Sequence, residues 1–548
     1  MRKALAAVAL LAAAGCSVTG AAGGEGKTKI VIGYQSKTIN TVTAGTLLRS
    51  LGYLEKRLGG KYSVEWQDYD TGAPITAKMV AGKIDIGSMG DYPLLINASR
   101  TQGIPAARTE LVSINGYNLR GGLNMVVVPP GSTAKTLADL KGAKISASLG
   151  SAGHGTLVQA LEKAGVTGVE VVNHQPAVGA SQLESGGVQA YAQFVAWPGL
   201  LVFQHKGRLI YDGSALDVPT FHGVVVRQAY AKEHLEVVDA FLKAQIDATR
   251  YLHEHPLEAA ESVAGTTGLP AEVVYLYNGP GGISTFDVTL KPQLKAAHEH
   301  DVPFLKRIGT DFAGVDVSSF VNDTYLRKAY GPSYDKDLAS TANPARITGT
   351  DPVCGGQVTD PRTASELWAA GAATTRPAAT PTCLLRQIAR AGTAAVRAAY
   401  VPDTTTGTRW FADGSVWLRD PAAPERSRFL PSLADDADPL VRAAALEASG
   451  AAGVPLESRA VKGLEDPDWQ VRVGAARCLA AADPAAAIEP LVAALSDANQ
   501  DVRKAAVLAL TPWAAASEVA AGLRAVIDDP DADVRAYARR AIHDLTRS

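Results

Sequence analysis

The sequence predicts a chain in two parts: a bilobal α/β unit with two parallel or mixed sheets flanked by helices, then an all-α repeat unit. Three observations carry this prediction. Residues 28 to about 340 alternate short β-like runs with amphipathic helical stretches, the rhythm of a parallel α/β sheet. Residues 428–548 repeat themselves at intervals of 30, 31 and 32 residues. The full length of 548 residues also exceeds what one hydrophobic core organises.

The first unit opens with Lys29-Ile30-Val31-Ile32-Gly33-Tyr34, a buried-strand pattern. A helix with Leu47, Leu48, Leu51, Leu54 and Leu58 on one side follows. Tyr62-Ser63-Val64-Glu65-Trp66 reads as the next strand and Ile75 to Ala81 as the next helix. Ile84-Asp85-Ile86-Gly87 is a third strand, and a helix runs from about Pro93 to Arg100. The runs 123–128 and 144–147 begin a second set of alternations that closes near Phe221–Val226. A helix-rich stretch from Ala229 to about Leu305 follows. This order predicts a first lobe (about 28–122 and 223–340) interrupted by a second (about 123–222).

In the last block, Val441-Arg442, Val471-Arg472, Val502-Arg503 and Val534-Arg535 share one register. Leu433, Leu464, Leu495 and Ile527 keep the same phase, each followed two residues later by Asp435, Asp466, Asp497 or Asp529. The aspartates suit helix N-caps and the turn between paired helices, and the Ala-rich faces suit close stacking. The pattern resembles HEAT-like helical repeats, which implies a protein partner not named by the sequence. Between the two units, residues 341–427 are rich in Thr, Pro, Gly and Ala and read as a linker or small module. Asp351-Pro352-Val353-Cys354-Gly355 resembles the opening of small metal-associated YHS modules, but a disulfide-closed linker is the preferred reading. Arg409 to Leu418 reads as a β-hairpin around Asp413-Gly414.

At the N-terminus, Arg2 and Lys3 precede an apolar run, Ala4 to Ala14, far short of the roughly 20 residues that span a bilayer. It ends in Ala13-Ala14-Gly15-Cys16, followed by a Gly-rich tether, residues 17–27. This resembles the lipobox of bacterial lipoproteins, although Ala13 stands where an aliphatic residue is usual. The resemblance implies a signal peptide, residues 1–16, lipid on Cys16, and anchoring to the outer face of the cytoplasmic membrane. An oxidising compartment permits a Cys354–Cys383 disulfide, and Cys478 reads as a buried small residue. No Cys/His cluster has metal spacing. A formal net charge of -2 excludes the basic footprint of a nucleic-acid binder.

Ligands of open α/β sheets collect at the C-terminal ends of strands, where loops enter helices. Small polar residues stand at those junctions: Gln35 and Ser36, Thr71, Gly90 and Asp91 in the first lobe. Ser148, Ser151, His154, Gly155 and Thr156 occupy them in the second. Helix N-termini suit carboxylate, sulfonate or nitrate groups. Gly82 to Asp91, and Gly150 to Leu157 continuing to Gly165, resemble the lobe motifs of periplasmic binding proteins for nitrate, taurine and alkanesulfonates. The stretch from Val225 to Ala260 resembles that family's return into the first lobe.

The resemblance implies a periplasmic-binding-protein fold that closes like a hinge on a small anion and delivers it to an ABC importer. It carries ligand contacts to Gln35, Gly90, Asp91, Ser151, His154 and Tyr191. Gln189, Tyr191 and Phe194 stand where the family has an acid and two tryptophans, and Trp197 is a candidate replacement. No arginine has an obvious place in the cleft. No nucleophile elbow, zinc motif or phosphate loop is present, so capture without a cofactor is expected rather than catalysis. His298, Glu299 and His300 read as a solvated helix face. The alternatives are a ligand-sensing extracellular scaffold acting through the repeats, and a pyrimidine-pathway-like enzyme on the same fold.

Overall fold

The computed structural model describes residues 27–308, 312–403, 406–413, 434–435, 439–451 and 456–545. Cys16, Leu433 and the distal half of the expected 409–418 hairpin lie outside them. Strands β1 (Thr28–Tyr34), β2 (Tyr62–Asp68), β3 (Ile86–Gly90) and β4 (Thr109–Asn118) begin the first lobe. The chain then crosses to build β5 (Asn124–Val128), β6 (Lys144–Ala147), β7 (Glu170–Asn173), β8 (Ala190–Phe194) and β9 (Arg208–Asp212). It returns for β10 (Thr220–Arg227) and β11 (Thr285–Phe286).

The two sheets have the orders β11-β4-β10-β3-β1-β2 and β7-β6-β8-β5-β9. β1 runs parallel to β2 and β3, whereas β10 is antiparallel to β3 and β4. Both lobes are therefore mixed sheets, and the expected bilobal α/β class holds. Helices on both faces explain why β3 and β5 are buried along their whole length. Ile32, Ile86, Val224 and Phe241 share the first core; Val126, Ile145 and Leu157 share the second.

The crossings between lobes pack backbone against backbone. Asn118 Oδ1 accepts the N–H groups of Arg120, Gly121 and Gly122 at 3.0, 3.0 and 3.1 Å. Its Nδ2 donates to the Ile283 carbonyl at 2.8 Å. Gly121 has φ +103°, and a Cβ on Gly213 would lie 2.4 Å from the carbonyl oxygens of Asn124 and Gly121. Glycine is required at both positions.

Within the stretch read as a linker or small module, the described residues form a folded unit. β12 (Ser365–Ala369), β13 (Arg376–Ala378), β14 (Val396–Pro402) and β15 (Arg409–Phe411) form an antiparallel sheet ordered β13-β12-β14-β15. The helix Pro381–Ala391 lies on it through Leu384, and Cys354 and Cys383 are bonded with Cα atoms 6.0 Å apart. Arg409–Phe411 pairs with β14. Strands of three to seven residues, rich in alanine, lack the alternation that marks a strand in sequence.

Behind this unit stack the helices Pro439–Ala451, Glu457–Gly463, Trp469–Leu479, Pro484–Ala494, Gln500–Leu510, Ser517–Ala525 and Ala532–Leu545. The periodic aspartates occupy the turns two residues before the next helix cap, rather than the caps. Asp466, Asp497 and Asp529 accept the N–H of Asp468, Asn499 and Asp531. Each also receives the arginine of the preceding repeat: Arg442 on Asp466, Arg472 on Asp497, and Arg503 on Asp529, with two contacts of 2.7–3.1 Å each. At 471–472 and 502–503 the recurrent Val-Arg pair thus supplies one core side chain and one rung of a mostly buried ladder.

Replacing Arg472 with Met strands the Asp497 carboxylate and should cost the helical unit about 2 kcal/mol. Denaturant unfolding followed through Trp469 and Trp513 measures this; a loss under about 0.5 kcal/mol would make the ladder dispensable.

Candidate functional site

A cavity of about 470 Å³ lies between the lobes. Three helices start at its wall: Gly72–Val80, Asp91–Thr101 and Ala152–Lys163. All three starts carry partial positive charge, and the first N–H groups of 72–80 and 152–163 are available as donors, whereas at 91–101 the Asp91 carboxyl takes the Tyr92 N–H and Pro93 has none. Thr71 and Gly90 precede the first two, and Ser151 caps the third by accepting the N–H of His154 at 3.2 Å.

Of the residues singled out in the sequence, Gln35, Thr71, Gly90, Ser148, Ser151 and His154 are brought together around this cavity. Gln35 is fixed by donating to the Ser88 carbonyl at 3.2 Å. Ser148 donates to the His174 carbonyl and accepts from Gln193. His154 Nδ1 accepts the Gly150 N–H at 3.3 Å, which assigns its proton to Nε2.

The other six are turned elsewhere. Ser36 binds the Asp68 carboxylate through N–H and hydroxyl, at 2.8 and 2.6 Å. Asp91 is fully buried behind the cavity wall and accepts the N–H groups of Tyr92 and Phe221. Burial, and then Asp301, push its pKa well above the usual carboxylate range. Gly155 lies so close to Tyr92 that a Cβ would sit 2.4 Å from the ring. Thr156 accepts from Asn124, and the fully buried Tyr191 donates to the Pro176 carbonyl at 2.9 Å. Trp197 opens a helix outside the cavity, with the Lys37 ammonium 5.9 Å from its ring.

Phe194, read at a tryptophan position of the family, lines the wall, together with residues that sequence reasoning missed: Ile96, Arg100, Asn173, Gln175 and His222. Arg100 is exposed at the rim, correcting the expectation that no arginine reaches the cleft. Asn173 and Gln175 follow β7 and obey the strand-end rule. His222 stands near the start of antiparallel β10, where that rule gives no signal. Asn40 Nδ2 donates to its Nδ1 at 2.6 Å, leaving the Nε2 proton beside Gly90. Burial lowers the His222 pKa to about 3 and lowers that of His154, so both are neutral donors at neutral pH.

The lobes also touch directly. Gln159 donates to the Tyr92 hydroxyl at 2.6 Å, and Arg307 pairs with Glu162 at 2.8 Å. His298, expected on a solvated face, is instead fully buried between Phe221 and Phe320; His300 is the exposed member of that pair.

Comparison with known proteins identifies both ends of the chain. Residues 63–259 match the family described as NMT1/THI5 like, and residues 457–543 match HEAT repeats. These matches set an NMT1/THI5-like stretch ahead of HEAT repeats, and the resemblance read from the sequence is borne out. A protein of Escherichia coli (strain K12) named for binding aliphatic sulfonates is 28% identical over 248 residues, covering 45% of this chain and 74% of the relative. The taurine-binding periplasmic protein of the same organism is 30% identical over 191 residues, or 34% and 56% of the two chains. Among solved structures, the alkanesulfonate-binding protein of Xanthomonas axonopodis bound to MOPS is similar at 23% identity and TM-score 0.47. It matches over 54% of this chain and 98% of its own.

The unfolded imidazole, with pKa near 6.5, binds a proton between pH 6.5 and about 3 that folded His222 does not. Its contribution is thus complete above pH 6.5 and is lost as pH falls. Thermal melts of the wild type and His222→Gln should therefore converge, or cross, between pH 7 and 4.5. A constant difference in Tm would contradict a neutral His222.

Proposed function

We propose that this chain captures a small organic anion of the sulfonate class and delivers it to an ABC importer by closing its two lobes. The observation that carries this reading is the convergence of three helix N-termini and two neutral imidazoles on one cavity. A tetrahedral head whose three oxygens share one negative charge can use donors from several directions, whereas no cluster of cations is needed. Pro93, Ile96 and Phe194 line the same cavity, and its volume exceeds what nitrate fills. An alkyl chain attached to the anion suits that apolar wall. The relatives named for sulfonate and taurine binding support the same class.

The ligand contacts in this reading are Gln35, Thr71, Gly90, Ser148, Ser151 and His154, joined by Asn173, Gln175 and His222. Export and a lipid on Cys16 would hold the receptor beside its importer. Among the described residues no helix is long and apolar enough to cross a membrane.

Calorimetry of the full chain with ethanesulfonate, taurine, nitrate and phosphate tests the reading. Alkanesulfonates should bind most tightly, and Ser151→Ala should weaken them roughly fivefold through loss of about 1 kcal/mol of capping and donor interactions. Failure of every anion to bind would overturn it.

Affinity for ethanesulfonate should be flat from pH 6 to 8, because burial keeps His154 and His222 below their ordinary range. A site run by imidazolium would instead lose affinity as pH rises through about 6.5. Titrations at three pH values separate the two.

A further inference from the structure

The unit spanning residues 351–413 touches both lobes, and none of its described residues lines the cavity. On the first lobe it is held by a buried charged network. Arg409 pairs with Glu366 at 2.7 Å, both about 5% exposed, and the Tyr275 hydroxyl donates to Glu366 at 2.9 Å. Arg397 donates to Glu272 at 2.6 Å, and the Tyr400 hydroxyl donates to the Glu272 carbonyl at 2.9 Å.

Toward the second lobe the contacts are fewer and uncharged. The buried hydroxyls of Ser214 and Thr408 lie 3.0 Å apart, and the rings of Phe203 and Phe411 lie 5.4 Å apart. At the crossing itself, Arg120 donates to the Thr406 carbonyl at 2.6 Å. One apolar cluster runs from Leu123 and Val195 through Tyr275 to Trp368 and Phe411, joining all three units.

We infer that this unit is a brace on the hinge, which holds the lobes at the angle at which Gln159 meets Tyr92 and Arg307 meets Glu162. Rotation of the second lobe about the crossings moves Ser214 and Phe203 relative to Tyr275. The brace, tied more strongly to the first lobe, then loses its contacts to the second. Opening the cleft therefore costs the Ser214–Thr408 bond and the Phe203–Phe411 contact. The helix Pro381–Ala391 sets Leu385 and Ala389 against the core of the repeats, so the HEAT stack is mounted on the brace.

Hydrogen exchange of the full chain, with no solute added, tests the brace independently of the ligand reading. Thr408→Val and Phe411→Ala should each speed exchange roughly fivefold at the starts of helices 91–101 and 152–163, where the lobes meet. Strands β12 and β14 should stay protected. Unchanged exchange at the lobe contacts, with β12 and β14 still protected, would overturn the inference. If β12 and β14 lose protection, Ser214→Ala, which leaves the brace itself intact, decides by the same criterion.

Discussion

Two chain crossings, packed through Gly121 and Gly213 with no room for a side chain, set how the two lobes lie. Asn118 fixes the first crossing by gathering three backbone N–H groups on one oxygen. That arrangement removes the freedom of a loose linker and leaves rotation as the available motion between lobes. It also faces the starts of the 72–80, 91–101 and 152–163 helices onto one cavity. The recognition chemistry is thus a consequence of topology before it is a matter of particular side chains.

Within that cavity, charge is managed by exclusion. The buried acids Asp91 and Asp301 lie behind the wall, where burial raises the pKa of both. The imidazoles at the wall are neutral, and the lone guanidinium lining it, Arg100, stays at the rim. In the proposed reading, fixed dipoles and N–H donors in a site of low dielectric would attract an anion without the desolvation cost of burying a cation. The same economy governs the repeats, where each arginine is buried only together with the aspartate of the next turn.

Much of the fold was legible in the sequence because its signals are periodic. The run 29–34 and the alternations after it are buried strands of a layered sheet, and the Val-Arg register marks stacked helices. The site was legible by half. Gln35, Gly90 and Ser151 follow the strand-end rule, whereas His222 enters on the antiparallel β10, where the rule is silent. Tyr191 and Asp91 were drawn to the cavity by family position, but β8 turns Tyr191 toward Pro176, and the 91–101 helix turns Asp91 inward. The unit at 351–413 escaped because its short strands are held by tertiary contacts such as Tyr275 with Trp368, which no local pattern encodes.

The central claim is that the convergent helix ends bind the anion. A crystal structure of the chain grown with ethanesulfonate tests it most directly. The account predicts the sulfonate between the lobes, within hydrogen-bonding distance of the N–H groups that open the 72–80 and 152–163 helices, with its ethyl group toward Ile96 and Phe194. A sulfonate bound only outside this cavity, or seated on Arg100 alone at the rim, would contradict it.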